Sequence, residues 1–540
     1  MSSGSRCPFR EVAPYAPIGD NWGVTAEKTT AETTAKDLDT NDQRAVRMDK
    51  RERLLGRGVQ PFPVKVERTG SLAEVRKRFD GTVEAGESTG ETVSVTGRVM
   101  FIRNTGKLCF ATLQEGGPEG AGSRLQAMIS LAEVGDEALA DWKALVDLGD
   151  HVRVTGEVVV SRRGELSVMA TSFEIASKAI RPLPVLHAEL NEETRVRQRY
   201  ADLIVRDEAR EMVYKRAAIT RSIRDSLHSH DYGEVETPRL QLVHGGAQAR
   251  PFETHLNAFD QDMTLRIATE LYLKRAVVGG IDRVYEIGRV FRNEGVDSTH
   301  SPEFTTLESY EAWADMYTMA ERMQEMIRNA ADACGVGRQV EVAGPDGEPV
   351  TVDLDGEWTW LSVYPGLSEA VGQEITPETS AEVLREIAEK HEVKVDPAWG
   401  AQKLVVELFG EIVEPHLMQP TFVCDYPPIA QPLAREHREK PGVIEAWDLI
   451  IGGMERGTAF SELVDPVVQR ERLVEQSRMA AEGDDEAMQY DEDFLRALEY
   501  GAPPMGGLGL GIDRLAMLFT GAGIRETILF PLLKPEVDNS

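Results

Sequence analysis

The sequence predicts a multidomain chain: an N-terminal all-β barrel, then a larger α+β domain. Three observations carry this. At 540 residues the chain is longer than one ordinary hydrophobic core supports. Between residues 93 and 169 it holds five short runs of strand-forming residues broken by turn residues. Further on, a strand–turn–strand pattern ending in Arg292-Asn-Glu-Gly295 is followed, about two hundred residues later, by a glycine-rich strand that leads into a helix, Gly506-Gly-Leu-Gly-Leu-Gly-Ile-Asp-Arg-Leu515. A hydrophobic content of 41% with 28% charged residues is globular rather than disordered. No apolar run approaches the ~18 residues needed to cross a bilayer, and the N-terminus lacks the charged-then-apolar shape of a secretion signal. Cys7, Cys109, Cys334 and Cys424 are scattered without paired spacing. That argues against a zinc knuckle or disulfide frame, and it fits a reducing, cytoplasmic setting with no membrane partner.

In chain order, residues 1–42 are rich in Ser, Thr, Pro and Gly without periodicity and read as a disordered extension. Residues 43–185 form the first domain. It opens with a basic helix from Arg44 that stops at Gly56 and Gly58, ahead of Pro61 and Pro63. Strands follow at Val93–Ile102, Leu108–Leu113, Arg124–Ile129, His151–Val160 and Glu165–Met169, with a helical stretch near 131–146 between the third and fourth. That is the strand order of an oligonucleotide-binding (OB-fold) barrel. Arg181-Pro-Leu-Pro184 is a stiff linker. Residues 186–540 form the second domain, with a strand running to Pro238, a mostly helical insertion near 320–415, and a core that resumes at Cys424.

The net charge of −31 argues against a nucleic-acid partner only if it is evenly spread. It is not: from Val93 to Pro182 there are 10 Lys+Arg against 11 Asp+Glu, and the helix from Arg44 to Arg57 carries six basic residues against Asp49 and Glu52. Such a helix is either a solvated face or a phosphate contact.

The richest chemistry lies at 283–304. Arg292, Glu294, His300 and Phe304 come together across the turn. They offer a cation for phosphate, a carboxylate for an exocyclic amine and an aromatic face for a purine, and Arg514 in the glycine block adds a second cation. These blocks resemble the second and third signature motifs of class II aminoacyl-tRNA synthetases, and the full pattern resembles the lysyl-tRNA synthetase branch over roughly residues 44–535. The resemblance implies a catalytic domain with a central antiparallel sheet, and a homodimer built in part by the run to Pro238. It implies ATP gripped by Arg292, Glu294, His300, Phe304, Glu455 and Arg514, of which Arg292 and Arg514 are catalytic. Mg2+ would be held by Asp448 and Glu455, with Asp448 standing where the family usually has glutamate.

For the amino acid, the resemblance places Glu308, Tyr310 and Glu462 around a lysine ammonium. It places Phe460 on the aliphatic stem, and Glu270 and the Gly246 backbone at the α-amine. An ammonium taken out of water needs such compensating groups. Thr458 stands where the family has an asparagine that helps hold the substrate carboxylate; Ala459 and Gln431 are further departures. In the barrel, Phe110, Gln126 and Glu165 match residues that read a uridine-rich anticodon, while Arg98, Arg103 and Lys107 are candidates for phosphates. The implied function is ATP-dependent activation of L-lysine as lysyl-adenylate, and its transfer to the 3′ end of tRNA(Lys). Two alternatives stay open: a paralogue that activates a lysine analogue for a biosynthetic route, and a catalytically silent RNA-binding relative.

Overall fold

A computed structural model of the protein describes residues 35–117, 122–184, 191–481 and 487–535. Most of the expected N-terminal extension therefore lies outside the described residues. Its last residues are helical, because the first helix spans Ala35–Gly56 and starts earlier than Arg44. The basic residues of this helix are largely spent on the protein itself. Arg47 donates to the carbonyls of Leu148, Ala179 and Arg181 at 2.9, 3.1 and 3.2 Å. Lys50 pairs with Asp147 and Arg57 with Asp141. These bonds pin the helix to the barrel, which favours a structural role for its charge over a phosphate contact.

The barrel closes from five strands, Ser88–Asn104, Leu108–Glu115, Ser123–Ser130, His151–Val160 and Leu166–Ser177. The helix Leu131–Leu145 lies between the third and fourth, as the sequence predicts. Alternation does the work. Along His151–Val160 every second residue is buried, so one face fills the barrel and the other meets solvent. Trp142 from the helix is buried in the barrel core, edge-on to Phe173 at 4.9 Å. Arg124 pairs with Asp207 at 2.9 Å, and Gln114 donates to the Ile204 carbonyl at 3.1 Å, tying the barrel to the second domain.

The second domain is built on an eight-stranded sheet. Its order is Thr359–Ser362, Thr421–Cys424, Ala446–Ile450, Glu455–Ser461, Met505–Gly511, Glu303–Ala312, Arg283–Phe291 and Gly233–Glu234. The six inner strands run antiparallel to their neighbours, and the two outermost strands pair in parallel. The helices Asp207–Ser229, Met316–Ala333 and Ile512–Thr520 supply the large apolar core behind the sheet.

Two segments differ from the sequence-based expectation. The region 320–415 is not only helical: it contains the hairpin Gln339–Ala343/Pro349–Asp353 and one strand of the main sheet, Thr359–Ser362. Its helices Val363–Val371, Ala381–Lys390 and Ala401–Ile412 form a separate apolar cluster. The strand before Pro238 is only Gly233–Glu234. What holds the rest of that run is polar. Glu286 accepts from the Thr237 amide and hydroxyl at 2.9 and 2.6 Å, and buried Arg266 bridges Glu286 at 2.6 Å.

Candidate active site

Three adjacent strands make the floor of a cavity of about 360 Å³. The glycine strand Met505–Gly511 lies in the middle. Its Gly509 pairs with Glu308 on one side and Thr458 on the other, and its Gly507 pairs with Tyr310 and Phe460 in the same way. Residues two apart on a strand share a face, so the glycines leave a trough between two walls of functional side chains. Gly507 has no room for anything larger. A Cβ there would stand 1.9 Å from Glu462 Oε1 and 2.4 Å from Tyr310 Cε1. Gly246 is similarly fixed: its φ is +85°, and a Cβ would fall 2.9 Å from that of Glu270.

Arg292, Glu294, His300 and Phe304 all line this cavity, with Glu455 and Arg514 at the same end. Arg292 leaves the end of Arg283–Phe291 half-buried, its guanidinium 5.2 Å from the centre of the Phe304 ring. Its Nε donates to the Ile267 carbonyl at 3.4 Å. Arg514 sits in the first turn of Ile512–Thr520 and pairs with Glu455 at 3.1 Å. His300 is held by Asp297, whose carboxylate receives the backbone N–H of Thr299 and His300 at 2.6 and 2.7 Å. Those bonds hold the Asp297 carboxyl below the usual range, so it orients the imidazole at 2.9 Å as an anion.

Asp448 and Glu455 line the cavity from neighbouring strands. Burial, then the charge of Glu455, pushes the Asp448 carboxyl up to about 7, while Thr458 and Tyr426 bond to it and draw it down. Glu414, which the sequence reading missed, faces the same charge and is pushed to about 7 by burial and by Glu455. Two mutually repelling carboxylates beside a cation-lined cavity suit a hard divalent cation. Among the described residues no group of three His, Cys, Asp or Glu is placed to hold a metal alone.

The other end of the cavity is acidic. Glu308 accepts from the Thr269 amide at 3.0 Å and from the Tyr310 hydroxyl at 3.4 Å. Burial, followed by repulsion from Glu270, raises its carboxyl to about 7. Phe460 and Thr458 form the opposite wall. Thr458 is the direct cross-strand neighbour of Asp448, and the Trp447 carbonyl, 3.2 Å away, is the alternative acceptor for its one hydroxyl proton. Glu462 borders the trough at Gly507: its carboxylate lies 1.9 Å from where a Gly507 Cβ would stand, on the side that carries Tyr310. There it is paired with Lys274, which the sequence reading missed. The one signal was local: Glu270 and Lys274 are four apart on a helix and bond at 2.6 Å.

On the barrel, Phe110 is on the solvent face of its strand between buried Cys109 and Ala111, with Arg103 stacked 4.6 Å above its ring. Gln126 lies on the next strand, receiving Ser167 Oγ at 3.1 Å. Glu165 receives Arg76 at 2.8 Å. Arg98 donates to the Gly149 carbonyl at 2.9 Å, whereas Arg103 and Lys107 are exposed.

A cavity lined by arginines, an acidic pocket at one end of it and a closed five-stranded barrel are found in one chain. This combination agrees with the comparisons. The family of class II tRNA synthetases (D, K and N) matches residues 191–534, and that of OB-fold nucleic acid binding domains matches residues 93–176. The chain belongs to the class II tRNA synthetases of this D, K and N group. It is 57% identical over 498 residues to a lysine–tRNA ligase of Kineococcus radiotolerans, covering 92% of this chain and 98% of the relative. A lysine–tRNA ligase of Mycobacterium bovis is 53% identical over 511 residues, covering 94% and 99%. A lysylphosphatidylglycerol biosynthesis bifunctional protein of Nocardia farcinica is 46% identical over 495 residues, covering 92% of this chain but 43% of the relative. Among the described residues no helix is long and apolar enough to cross a membrane.

Proposed function

We propose that this chain is an ATP-dependent lysine–tRNA ligase, and the acidic pocket joined to an arginine-lined cavity is the observation that carries the proposal. A carboxylate oxygen of L-lysine attacks the α-phosphorus of ATP. A new P–O bond forms, the bond to the β,γ-diphosphate breaks, and lysyl-adenylate and pyrophosphate result. The 3′-terminal hydroxyl of tRNA(Lys) then attacks the lysyl carbonyl, and AMP leaves. The protein's task is to position the reactants and balance charge, with no side chain needed as a base.

Each residue has a part in this scheme. Arg292 meets the α-phosphate and the substrate carboxylate, because its planar fork can bond both. Glu294 accepts from the adenine amine, Phe304 stacks on the base, and His300 and Arg514 meet the γ-phosphate. Asp448 and Glu455 would hold Mg2+, which when bound neutralises charge on the triphosphate. Glu308, Tyr310 and Glu462 meet the ε-ammonium, Phe460 packs on the stem, and Glu270 with the Gly246 backbone meets the α-amine. A neutral side chain would leave buried acids unpaired, which is the basis for rejecting it.

In the same reading Phe110 stacks an anticodon base, Gln126 and Glu165 bond base edges, and the enzyme works in the cytoplasm as a homodimer. Exposed Leu242 and Phe259, close after Pro238, are apolar surface that a second copy would cover. One observation favours a variant of this reading, a paralogue activating a lysine analogue: the Thr458 hydroxyl lies within bonding distance of the Trp447 carbonyl on the neighbouring strand. ATP–pyrophosphate exchange across a panel of amino acids decides between them. Exchange with L-lysine above all others supports the ligase. Exchange with another amine alone supports the paralogue, and no exchange at all overturns both.

A further inference from the structure

Beneath the acidic pocket, the ammonium of Lys274 is almost wholly buried, with 1% of its side chain exposed. It bonds Glu270 at 2.6 Å, pairs with Glu462 and lies 5.9 Å from the centre of the Tyr310 ring. A buried lysine is costly unless its charge is needed. Three carboxylates, Glu270, Glu308 and Glu462, crowd this end of the site, and the electrostatics couple all three. The other groups facing them are Tyr310, whose burial keeps it a neutral phenol, and Arg292, whose charge acts on Glu308.

The charge count is then simple. Three acids carry three negative charges, and Lys274 returns one. Two remain. A lysine substrate brings two ammonium groups here, while its carboxylate goes to Arg292. We propose that Lys274 is a specificity-positioning residue, an internal counter-ion that sets the pocket's net charge to match a substrate bearing two ammonium groups. This rests on the lysine–tRNA ligase reading of the site. Lys274 touches no reacting atom. It acts through Glu270 and Glu462: burial raises both carboxyls, and Lys274 favours their anionic form against that burial while holding the Glu462 carboxylate beside Gly507. Its own protonated state is favoured by those same two carboxylates, against burial, which opposes it.

The test uses the full chain. Calorimetric titration with L-lysine at pH 8, in two buffers of different ionisation enthalpy, counts protons exchanged on binding. For the unmodified protein the proposal expects no more than about one proton released per lysine, from the Glu308 and Glu462 carboxyls that burial raises to about 7 and about 8, because the third acid already has its counter-ion. Release of two protons or more would overturn it. In Lys274→Met the third acid must take a proton instead. Lysine binding then becomes linked to more proton release than in the unmodified protein, because the incoming ammonium groups displace protons from acids held neutral in the free site, and the KM for lysine rises tenfold or more while the KM for ATP stays within about twofold. Lys274→Arg keeps the charge and restores most of the loss. The double variant Lys274→Met/Glu462→Gln, which removes one charge of each sign, binds lysine better than Lys274→Met and loses the added proton release. If Lys274→Met raises both KM values alike with no added proton release, or if it does not fold and the double variant binds no lysine, Lys274 is merely structural. If the unmodified protein binds no lysine, it is the ligase reading that fails, and not this inference alone.

Discussion

Glu308 is the residue whose chemistry depends most directly on pH. Its carboxyl is raised to about 7, first by burial and then by Glu270. Below that pH it is mostly neutral in the free protein, and a neutral acid attracts an ammonium weakly. A bound ammonium favours the anion and lowers the value, so affinity is present above about 7 and is lost as pH falls through it. The KM for lysine should therefore rise progressively between pH 7 and 5.5, while Glu308→Gln gives a high KM with a shallower rise over the same range, from Glu462 alone. A wild-type lysine KM that is flat across that range would contradict this. At the other end of the cavity, Arg292→Lys keeps the charge but loses the planar fork. It should lower the pyrophosphate-exchange rate by about 10²–10³-fold, as losing one oriented transition-state donor does, with the melting temperature little changed. The residues of the nucleotide end were legible in the sequence because Arg292 to Phe304 are close in the chain and their donor types match one ligand. Lys274 was not legible. Its meaning depends on Glu462, which reaches it only through the sheet.

Among elements, the glycine strand is the one that shapes the pocket. Gly507→Ala would push its new methyl into Glu462 and Tyr310. Overpacking of this kind costs about 1–3 kcal/mol, and here it should appear mainly as a raised KM for lysine with the KM for ATP nearly unchanged. An equal rise in both would show a general collapse of the sheet. The neighbouring pair of strands poses a second question. Asp448 and Thr458, each a departure from the family pattern, face each other directly in register. If they are matched to one another, Asp448→Glu and Thr458→Asn should each lower kcat/KM for lysine, and the double substitution should recover activity beyond the sum of the two. A coupling of about 0.5–3 kcal/mol is ordinary for touching residues, and strict additivity would show that the pair is independent. The barrel strands were readable because period-two alternation is a local signal. The strand Thr359–Ser362 was not: four residues are too few for a period, and its pairing with Thr421–Cys424 is set by tertiary structure.

Across the whole molecule, the barrel and the catalytic sheet divide the work between choosing the RNA and making the ester. Phe110→Ala should raise the KM for tRNA(Lys) severalfold, since stacking on one aromatic is worth about 1–3 kcal/mol per base, yet leave lysine-dependent pyrophosphate exchange unchanged. A loss of exchange would mean the barrel supports the catalytic domain rather than reading RNA. The net charge of −31 was a poor guide to the nucleic-acid partner. The barrel is nearly neutral, and Arg47, Lys50 and Arg57 of the first helix bind the barrel domain itself. Composition averages over such internal uses of charge, and only the fold separates them. The measurement that bears most directly on the central claim is charging of a tRNA(Lys) transcript with L-lysine, ATP and Mg2+, read as ester-linked lysine on the 3′ end. The account predicts lysyl-tRNA with one AMP formed per ester. Lysine-dependent AMP release without any lysyl-tRNA, or charging with a different amino acid in its place, would contradict it.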